Sequence, residues 1–345
     1  MARNTQIRTI SAVYAGIDYH KKSFTVTLGD ADGNVLLQEQ YASDVVSVFN
    51  FFRTRPGLIC AIENCRGNEW FIETLKECGC EVRVANTRGV RLIAESKCKN
   101  DKNDSRILME LVSRDYLPIC YQPTNQERLL RERLRFRTKL MRSRTQYKNV
   151  AHALMDKENK GRQIGSRKKR KNASEYAGLH PERQERLNKS IEVIEYFDTA
   201  VSEEDQELCV LAADNPDVLR LTTIPGVGIL SALMLIAELG DVSRFRKAKN
   251  VASYFGLVPT LYASSDVRRL GRITKQGSGL MRRILVQDSW IAIRQSAALR
   301  SRYNRILKRR GKRVAVVAIA RMIAEIAFRI LRDKTEYNEE LLTLG

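Results

Sequence analysis

The sequence is poor in histidine and in paired cysteines, which excludes several kinds of metal and redox chemistry. Its 345 residues include three histidines and no HExxH motif, so histidine-based metal catalysis is not expected. The seven cysteines are odd in number and show no paired CxxC spacing. Neither a zinc site nor a disulfide framework is therefore indicated, and reduced thiols in a cytoplasmic protein are expected.

Long apolar runs are also missing. The first residues, "MARNTQIRTISAVYAG", contain no apolar core of signal-peptide length. The longest late apolar run, "VAVVAIA", is too short to cross a bilayer. The sequence therefore predicts a soluble protein with no membrane partner.

Acidic charge is scarce relative to basic charge, and the surplus is localised. The chain has 60 Lys and Arg against 40 Asp and Glu, a formal net charge of +20. The first basic tract, residues 128–171, holds 17 cations and 3 acids, and the second, residues 266–313, holds 15 and 2. A single such tract is as well explained by a solvated helix face, but two favour a nucleic-acid partner. The candidate contacts are Arg167, Lys168, Lys169, Arg170, Lys171, Arg268, Arg269, Arg272 and Lys275.

The first third of the chain has the pattern of an α/β domain. Three segments of period near two, "AVYAGID", "SFTVTLGD" and "VLLQEQYA", predict an antiparallel meander. Helical segments then alternate with the short strands "LICAIEN" and "EVRVANT". This order is typical of an RNase H-like domain, which we assign to residues 12–122.

The rest of the chain predicts mainly helices. Residues 123–212 predict a coiled-coil linker with a basic loop and a return helix from about Pro181 to Leu211. Its proposed seam, at spacings of four and three, consists of Phe136, Leu140, Ser143, Tyr147, Val150 and Leu154. Residues 213–345 form a third domain, where "IPGVG" resembles a helix-hairpin-helix element, with an ordinary helix–helix turn as the alternative.

Four acids are placed where they could act together. Asp18 and Glu63 end predicted strands, while Asp101 and Asp104 open a predicted helix and share one face. Such carboxylates could hold two divalent ions roughly 3.5–4 Å apart, and oxygen ligands suit Mg²⁺ or Mn²⁺.

Each acid also has a purely structural explanation. Asp104 could be a helix N-cap, Glu63 could pair with Arg66, and Asp18 could cap a turn. The metal site is favoured because all four acids occur together in this order of elements.

Four ordered motifs resemble a known family. "GIDYHK", "AIENCRG", "KNDKNDS" and "IPGVG…FGLVP…SS…GRITKQG" are together similar to the transposases and DNA invertases of the IS-one-ten insertion-sequence family, the DEDD-type recombinases that include the pilin-gene invertase. The resemblance covers nearly the whole chain. It implies a RuvC-like domain, a coiled-coil linker and a C-terminal transposase domain, with Asp18, Glu63, Asp101 and Asp104 at the acidic positions.

The same resemblance implies further properties. It places a serine nucleophile soon after "GLVP", at Ser264, beside Ser265. It also implies a guide RNA encoded by the element, homodimers that assemble into tetramers, and a bacterial or archaeal cytoplasmic protein that joins the nucleoid when bound to DNA. Two other functions remain open from the residues themselves. They are a RuvC-like junction nuclease that uses metal-activated water, and a nucleic-acid-binding protein without enzymatic activity.

Overall fold

A computed structural model describes residues 12–94, 100–159, 179–264 and 267–339, with the side chains of 263, 264, 267 and 268 left out. The described chain divides between Gln122 and Pro123 into an N-terminal unit and a C-terminal unit. Residues 167–171 of the first basic tract lie outside the described residues.

The N-terminal unit is built on a five-stranded mixed sheet in the order β3-β2-β1-β4-β5. Its strands are β1 (Tyr14–Tyr19), β2 (Ser23–Gly29), β3 (Val35–Ala42), β4 (Ile59–Glu63) and β5 (Glu81–Ala85). The first three pair antiparallel, as the predicted meander requires, while β4 pairs parallel with both β1 and β5. The prediction of an α/β unit is confirmed.

Helices cover both faces of this sheet. They are α1 (Val45–Phe52), α2 (Glu69–Glu77), α3 (Thr87–Ile93) and α4 (Asp101–Ser113). An aromatic cluster of Phe24, Phe52 and Phe71 lies in the core with α1 and α2, and each of these side chains is fully buried. A second cluster, which includes Leu108 and Val112 of α4, fills the opposite face.

The C-terminal unit begins with two long helices, α5 (Asn125–Asp156) and α6 (Pro181–Ala213). They run antiparallel, because Arg133 pairs with Glu204 at 3.1 Å near one end while Arg144 pairs with Asp198 at 2.7 Å further along. Local sequence signals determine where each of these helices begins. Thr124 caps α5 with a capping box, and Pro181 occupies the first turn of α6.

The predicted seam of α5 is wrong at Phe136 and Val150, while Tyr147 is partly exposed with its ring centre 6.1 Å from that of Phe197 in α6. Leu140 and Leu154 are buried, but Phe136, Tyr147 and Val150 are 53%, 40% and 50% exposed. The packed side of α5 instead carries arginines such as Arg133, Arg137 and Arg144, which bind carboxylates of α6. A count of apolar spacings cannot detect this, because the interface is part ionic.

The remaining elements of the C-terminal unit are mostly helices. They are α7 (Pro216–Thr222), α8 (Ile229–Leu239), a 3-10 turn (Val242–Arg244), α9 (Ala248–Tyr254), the hairpin β6 (Pro259–Ser264) and β7 (Val267–Ile273), α10 (Gly279–Gln295), α11 (Ala297–Arg310) and α12 (Lys312–Asp333). Several of them, including α8, α10 and α12, share one hydrophobic core, which contains Ile319 and Ile323 of α12 together with Leu134 and Leu208 from the long helices. The prediction of a mainly helical region is confirmed. None of the described helices combines the length and apolarity needed to span a bilayer.

The "IPGVG" turn between α7 and α8 has a packing role at its first glycine. Gly226 has φ +83°, and a Cβ there would lie 2.4 Å from the Asp288 carbonyl oxygen of α10. Gly228 caps α8 and has open space around it. Close contact with α10 therefore accounts for Gly226.

A buried acid lies beside this turn. The side chain of Asp288 accepts a hydrogen bond from Ser231 Oγ at 2.9 Å, while its Oδ2 is buried and has no partner among the described residues. Burial raises the pKa of Asp288 to about 7, and the Ser231 hydrogen bond offsets only part of that shift. The carboxyl is therefore largely protonated in mildly acidic solution.

This acid should make stability depend on pH. Because the folded-state pKa is raised, its favourable protonated form is lost as the pH rises through about 7. Asp288→Asn should therefore gain stability over wild type between pH 5 and pH 8, on the order of a few kcal/mol. Denaturant unfolding across this range measures the gain. The exposed control Asp214→Asn should show no such trend, and a constant difference for Asp288→Asn would refute the assignment.

Candidate active site

Two strand ends bring the first two acids together. Strands β1 and β4 are parallel, with Ile17 opposite Ile62. Asp18 and Glu63 are therefore the next residues along their strands, and parallel register directs them to the same side of the sheet. The parallel pairing thus turns two acids 45 positions apart into neighbours.

Helix α4 lies directly over this side of the sheet because β1 has a glycine there. A Cβ on Gly16 would lie 1.9 Å from the Ser105 carbonyl oxygen and 2.4 Å from the Met109 nitrogen. Only the absence of a side chain allows this approach. Gly16 and Asp18 share a face of β1, so the helix turn preceding Ser105 reaches the end of the strand, where Asp18 lies.

A small polar cluster also fixes the rotation of α4 about its own axis, in addition to its distance from the sheet. Thr27 Oγ1 lies 2.8 Å from Ser105 Oγ in a buried hydrogen bond. Gln38 Nε2 donates to Thr27 Oγ1 and to the Lys102 carbonyl oxygen, each at 2.8 Å. These bonds tie strands β2 and β3 to the first turns of α4.

A histidine side chain lies between two of the carboxylates of the site. His20 Nε2 lies 3.2 Å from Asp18 Oδ2 and 3.5 Å from Asp101 Oδ1. The possible ligand atoms of these three residues all lie within 4.8 Å of one another. Asp18 Oδ2 is buried and accepts no well-aligned hydrogen bond from the described residues.

The electrostatics of Asp18 reflect this crowding. Burial raises the pKa of Asp18, His20 lowers it, and the charges of Asp101 and Asp104 raise it further. A cation at this position would relieve both the burial cost and the repulsion.

All four predicted acids line one cavity of about 800 Å³. Cys65 lines the same cavity, and burial followed by the charges of Glu69, Glu63 and Asp18 raises the pKa of its thiol to about 11. Cys65 is thus a neutral thiol at physiological pH, and the cavity has a strongly negative wall. Asp18, Glu63, Asp101 and Asp104 therefore line one cavity, and of these acids Asp18 and Asp101 lie in the close group of possible ligand atoms.

The helix start excludes one structural explanation of these acids. The N-cap of α4 is Asn100, whose side chain accepts a hydrogen bond from the Asn103 backbone at 2.8 Å. Asp101 and Asp104 therefore lie inside the helix, and capping does not explain Asp104. Glu63 lines the cavity, and its carbonyl oxygen accepts a hydrogen bond from Asn68 at 3.0 Å.

The donor set fits a hard divalent cation. Four carboxylates supply the oxygen ligands that Mg²⁺ and Mn²⁺ prefer, and one of their oxygens is buried without a good donor. His20 Nε2 contacts two of these carboxylates, those of Asp18 and Asp101.

The other predicted site residues lie on or near the β6–β7 hairpin of the C-terminal unit. Ser264 ends β6 with its backbone opposite Val267, and Arg268 follows in β7; their side chains are not described. Arg269 and Arg272 of β7 and Lys275 just beyond it are exposed.

Two glycines allow a close backbone contact at the base of this hairpin. A Cβ on Gly256 would lie 2.4 Å from the backbone of Gln276, and one on Gly277 would lie 2.2 Å from the Tyr254 carbonyl oxygen. Both have positive φ, of +65° and +66°. The motifs "FGLVP" and "TKQG" are therefore two sides of one backbone contact, which fixes where the hairpin leaves the helical unit.

Family models match both units. A DEDD-type IS110 transposase model matches residues 15–159, and a model described as Transposase IS116/IS110/IS902 family matches residues 218–304. The chain belongs to this transposase family. The predicted family is thus confirmed, and the chain is an enzyme of DNA transposition or recombination whose partner is DNA.

Relatives of this transposase match along most of its length. The transposase for insertion sequence element IS1328 of Yersinia enterocolitica is 28% identical, covering 94% of this chain and 98% of its own. The transposase for IS1111A of Coxiella burnetii is also 28% identical, with coverage of 93% and 90%. The pilin gene-inverting protein of Moraxella bovis is 23% identical over 43% of this chain and 48% of its own.

Two residues of the site were missed from the sequence. His20 was read only as one of three histidines, although its i, i+2 spacing from Asp18 was a signal that both could face one site. Asn100 is the N-cap of α4, a role that the sequence suggests for Asp104.

The close approach at Gly16 should be needed for both folding and activity. Gly16→Ala should cost about 1–3 kcal/mol, because the new Cβ meets the α4 backbone, and should lower metal-dependent DNA cleavage. Gly29→Ala is a matched control, since its Cβ would meet only the flexible side chain of Met109, with Sδ at 2.4 Å. Denaturant unfolding and a cleavage assay measure both effects. Equal losses in the two variants would contradict the role given to the backbone contact.

Proposed function

We propose that this transposase cleaves and rejoins DNA strands with an RNase H-like, RuvC-like N-terminal unit that holds Mg²⁺, or Mn²⁺, on Asp18, Glu63, Asp101 and Asp104. The observation that supports this most is the cavity that all four acids line, in which Asp18 Oδ2 is buried with only a 3.2 Å contact to His20 Nε2. The order β3-β2-β1-β4-β5, three antiparallel strands followed by two parallel ones, agrees with that fold.

The residues of the chain divide the work of this site. Bound metal would polarise the scissile phosphate and offset its charge. Asp18 and Glu63 would supply ligands from rigid strand ends, and Asp101 and Asp104 from the first turns of a helix fixed by the Gly16 contact. His20 would hold the Asp18 and Asp101 carboxylates in their orientation.

Ser264 is the proposed nucleophile. Its hydroxyl oxygen would form a bond to phosphorus as the phosphodiester bond to the leaving strand breaks, which leaves a phosphoserine and a free strand end. A serine hydroxyl needs an assisting base, cation or metal to lose its proton. Support comes from the family resemblance and from the position of Ser264 at the end of β6. Arg268 and Arg269 would neutralise the phosphate.

Further partners are proposed on the same basis. An element-encoded guide RNA would bind basic segments that include residues 167–171. The exposed apolar side chains of α5, Phe136, Tyr147 and Val150, offer surface for a second copy in a homodimer that assembles into a tetramer.

Replacing any one of the four acids should abolish DNA cleavage without abolishing DNA binding. Asp18→Asn, Glu63→Gln, Asp101→Asn and Asp104→Asn should each abolish Mg²⁺-dependent cleavage, because each removes a charged ligand. DNA affinity should stay within a few-fold of wild type, which gel-shift titration can check. If two of these variants cleave normally, the metal assignment fails.

The nucleophile can be trapped. A nicked DNA substrate incubated with wild type should give a protein–DNA adduct on a denaturing gel, and Ser264→Ala should not. Ser265→Ala and Tyr262→Phe are the controls, and both should keep the adduct. An adduct that survives Ser264→Ala moves the nucleophile to a neighbour, while cleavage without any adduct favours the metal-activated water of a junction nuclease.

A further inference from the structure

The two basic tracts differ in how their charges are used inside the C-terminal unit. In α5, Arg133 pairs with Glu204 at 3.1 Å, Arg135 with Glu238 at 3.2 Å, and Arg144 with Asp198 at 2.7 Å. Much of the positive charge of this helix is therefore already neutralised by carboxylates. The net charge of the first basic tract is therefore larger than the number of its cations that are free to bind a polyanion.

The C-terminal turns of α11, at Arg305, Lys308 and Arg309, form no such pair with a described carboxylate. Residues 289–324 contain ten Lys and Arg and no Asp or Glu. The acids nearest to this stretch in sequence are both occupied, since Asp288 is buried against Ser231 and Glu325 binds Arg321 at 2.8 Å. Glu339 lies at the start of α11, where it accepts hydrogen bonds from Ser296 Oγ and the Ala298 nitrogen. Exposed positive charge therefore remains toward the C-terminal end of α11.

The exposed side of α11 forms a shallow basic groove. Its volume is about 660 Å³, and it is lined by Ala297, Arg300, Ser301, Asn304, Arg305, Lys308 and Arg309. Arg305, Lys308 and Arg309 are exposed and form no ion pair with any described carboxylate. Their i, i+3, i+4 spacing keeps them on one side of the helix. The Ser301 hydroxyl and the Asn304 amide, which line the same groove, add donors of the kind that contact phosphate oxygens.

The opposite side of α11 anchors it to the core. Leu299 is fully buried, and Tyr303 is 8% exposed with its ring 5.9 Å from that of Trp290. Tyr303 is the only aromatic residue of α11, so the exposed groove offers no platform for stacking unpaired bases. A surface of cations and small donors without aromatics suits the phosphate backbone of a duplex.

We propose that the groove of α11 binds the phosphate backbone of duplex DNA and supplies a larger share of the salt-dependent affinity than the paired arginines of α5. This inference deepens the DNA function of the transposase. It depends on DNA binding alone and not on the metal site or on Ser264.

The test is the salt dependence of binding by the full chain to a fluorescent DNA duplex of arbitrary sequence. The triple variant Arg305→Gln, Lys308→Gln, Arg309→Gln removes three unpaired charges. The control Arg183→Gln, Lys189→Gln, Lys334→Gln removes three charges that are paired with Glu158, Glu185 and Asp217, two of them exposed and that of Arg183 partly so. Circular dichroism and thermal unfolding establish that each variant is folded.

The groove variant should flatten the plot of log affinity against log salt by about 2.7, because each lost phosphate contact contributes about 0.9. The control should keep the wild-type slope, and Arg305→Lys, Arg309→Lys should also keep it. Equal flattening in both triple variants would show a general charge effect and overturn the proposal. An unchanged slope would also overturn the proposal, and it is expected if Lys308 and Arg309 only stabilise the C-terminus of the helix. The same titration with an RNA duplex covers the other nucleic acid, and a loss of affinity for RNA alone would overturn the proposal as well.

Discussion

The contact between Gly16 and the backbone of α4 determines the geometry of the acidic site. A strand residue with any side chain would lift the helix from the sheet, since the Ser105 carbonyl lies 1.9 Å from the position of the missing Cβ. With the helix this close, its first turns reach the strand ends that carry Asp18 and Glu63. The Thr27, Ser105 and Gln38 hydrogen bonds then fix which face of the helix meets the sheet. The absence of a side chain at one glycine thus lets α4 place Asp101 and Asp104 on the same cavity as Asp18 and Glu63.

This arrangement concentrates negative charge at an unfavourable point of the fold. Burial and the neighbouring carboxylates raise the pKa of Asp18, and its Oδ2 lacks a good donor. A purely structural role would leave this oxygen poorly satisfied, whereas a divalent ion would satisfy it. The C-terminal unit shows the reverse pattern at Arg305, Lys308 and Arg309 of α11, which pair with no described carboxylate and where a phosphate backbone would supply the anions. A transposase needs both surfaces, because a metal site alone cannot hold DNA and a basic surface alone cannot cut it.

The elements that follow from local patterns could be predicted from the sequence. The period-two segments became β1 to β3, and the long polar run became α5 and α6, because these features depend on nearby residues. The placement of the four acids on one cavity also follows from the sequence, since strand ends and helix starts can be located from the chain. Three features could not be found in this way. The role of His20 depends on the approach of Asp101, the ionic contact of α5 depends on α6 carboxylates more than 50 positions away, and the need for Gly16 depends on the depth at which α4 packs.

The position of bound metal tests the account most directly. Crystals of the full chain grown with Mn²⁺ would locate the ion by its anomalous scattering, without any assumption about cleavage. The account predicts a peak within about 2.0–2.3 Å of carboxylate oxygens of Asp18 and of at least one of Glu63, Asp101 and Asp104. A strong Mn²⁺ peak elsewhere, with the carboxylates of Asp18 and Asp101 still turned only toward His20, would contradict it.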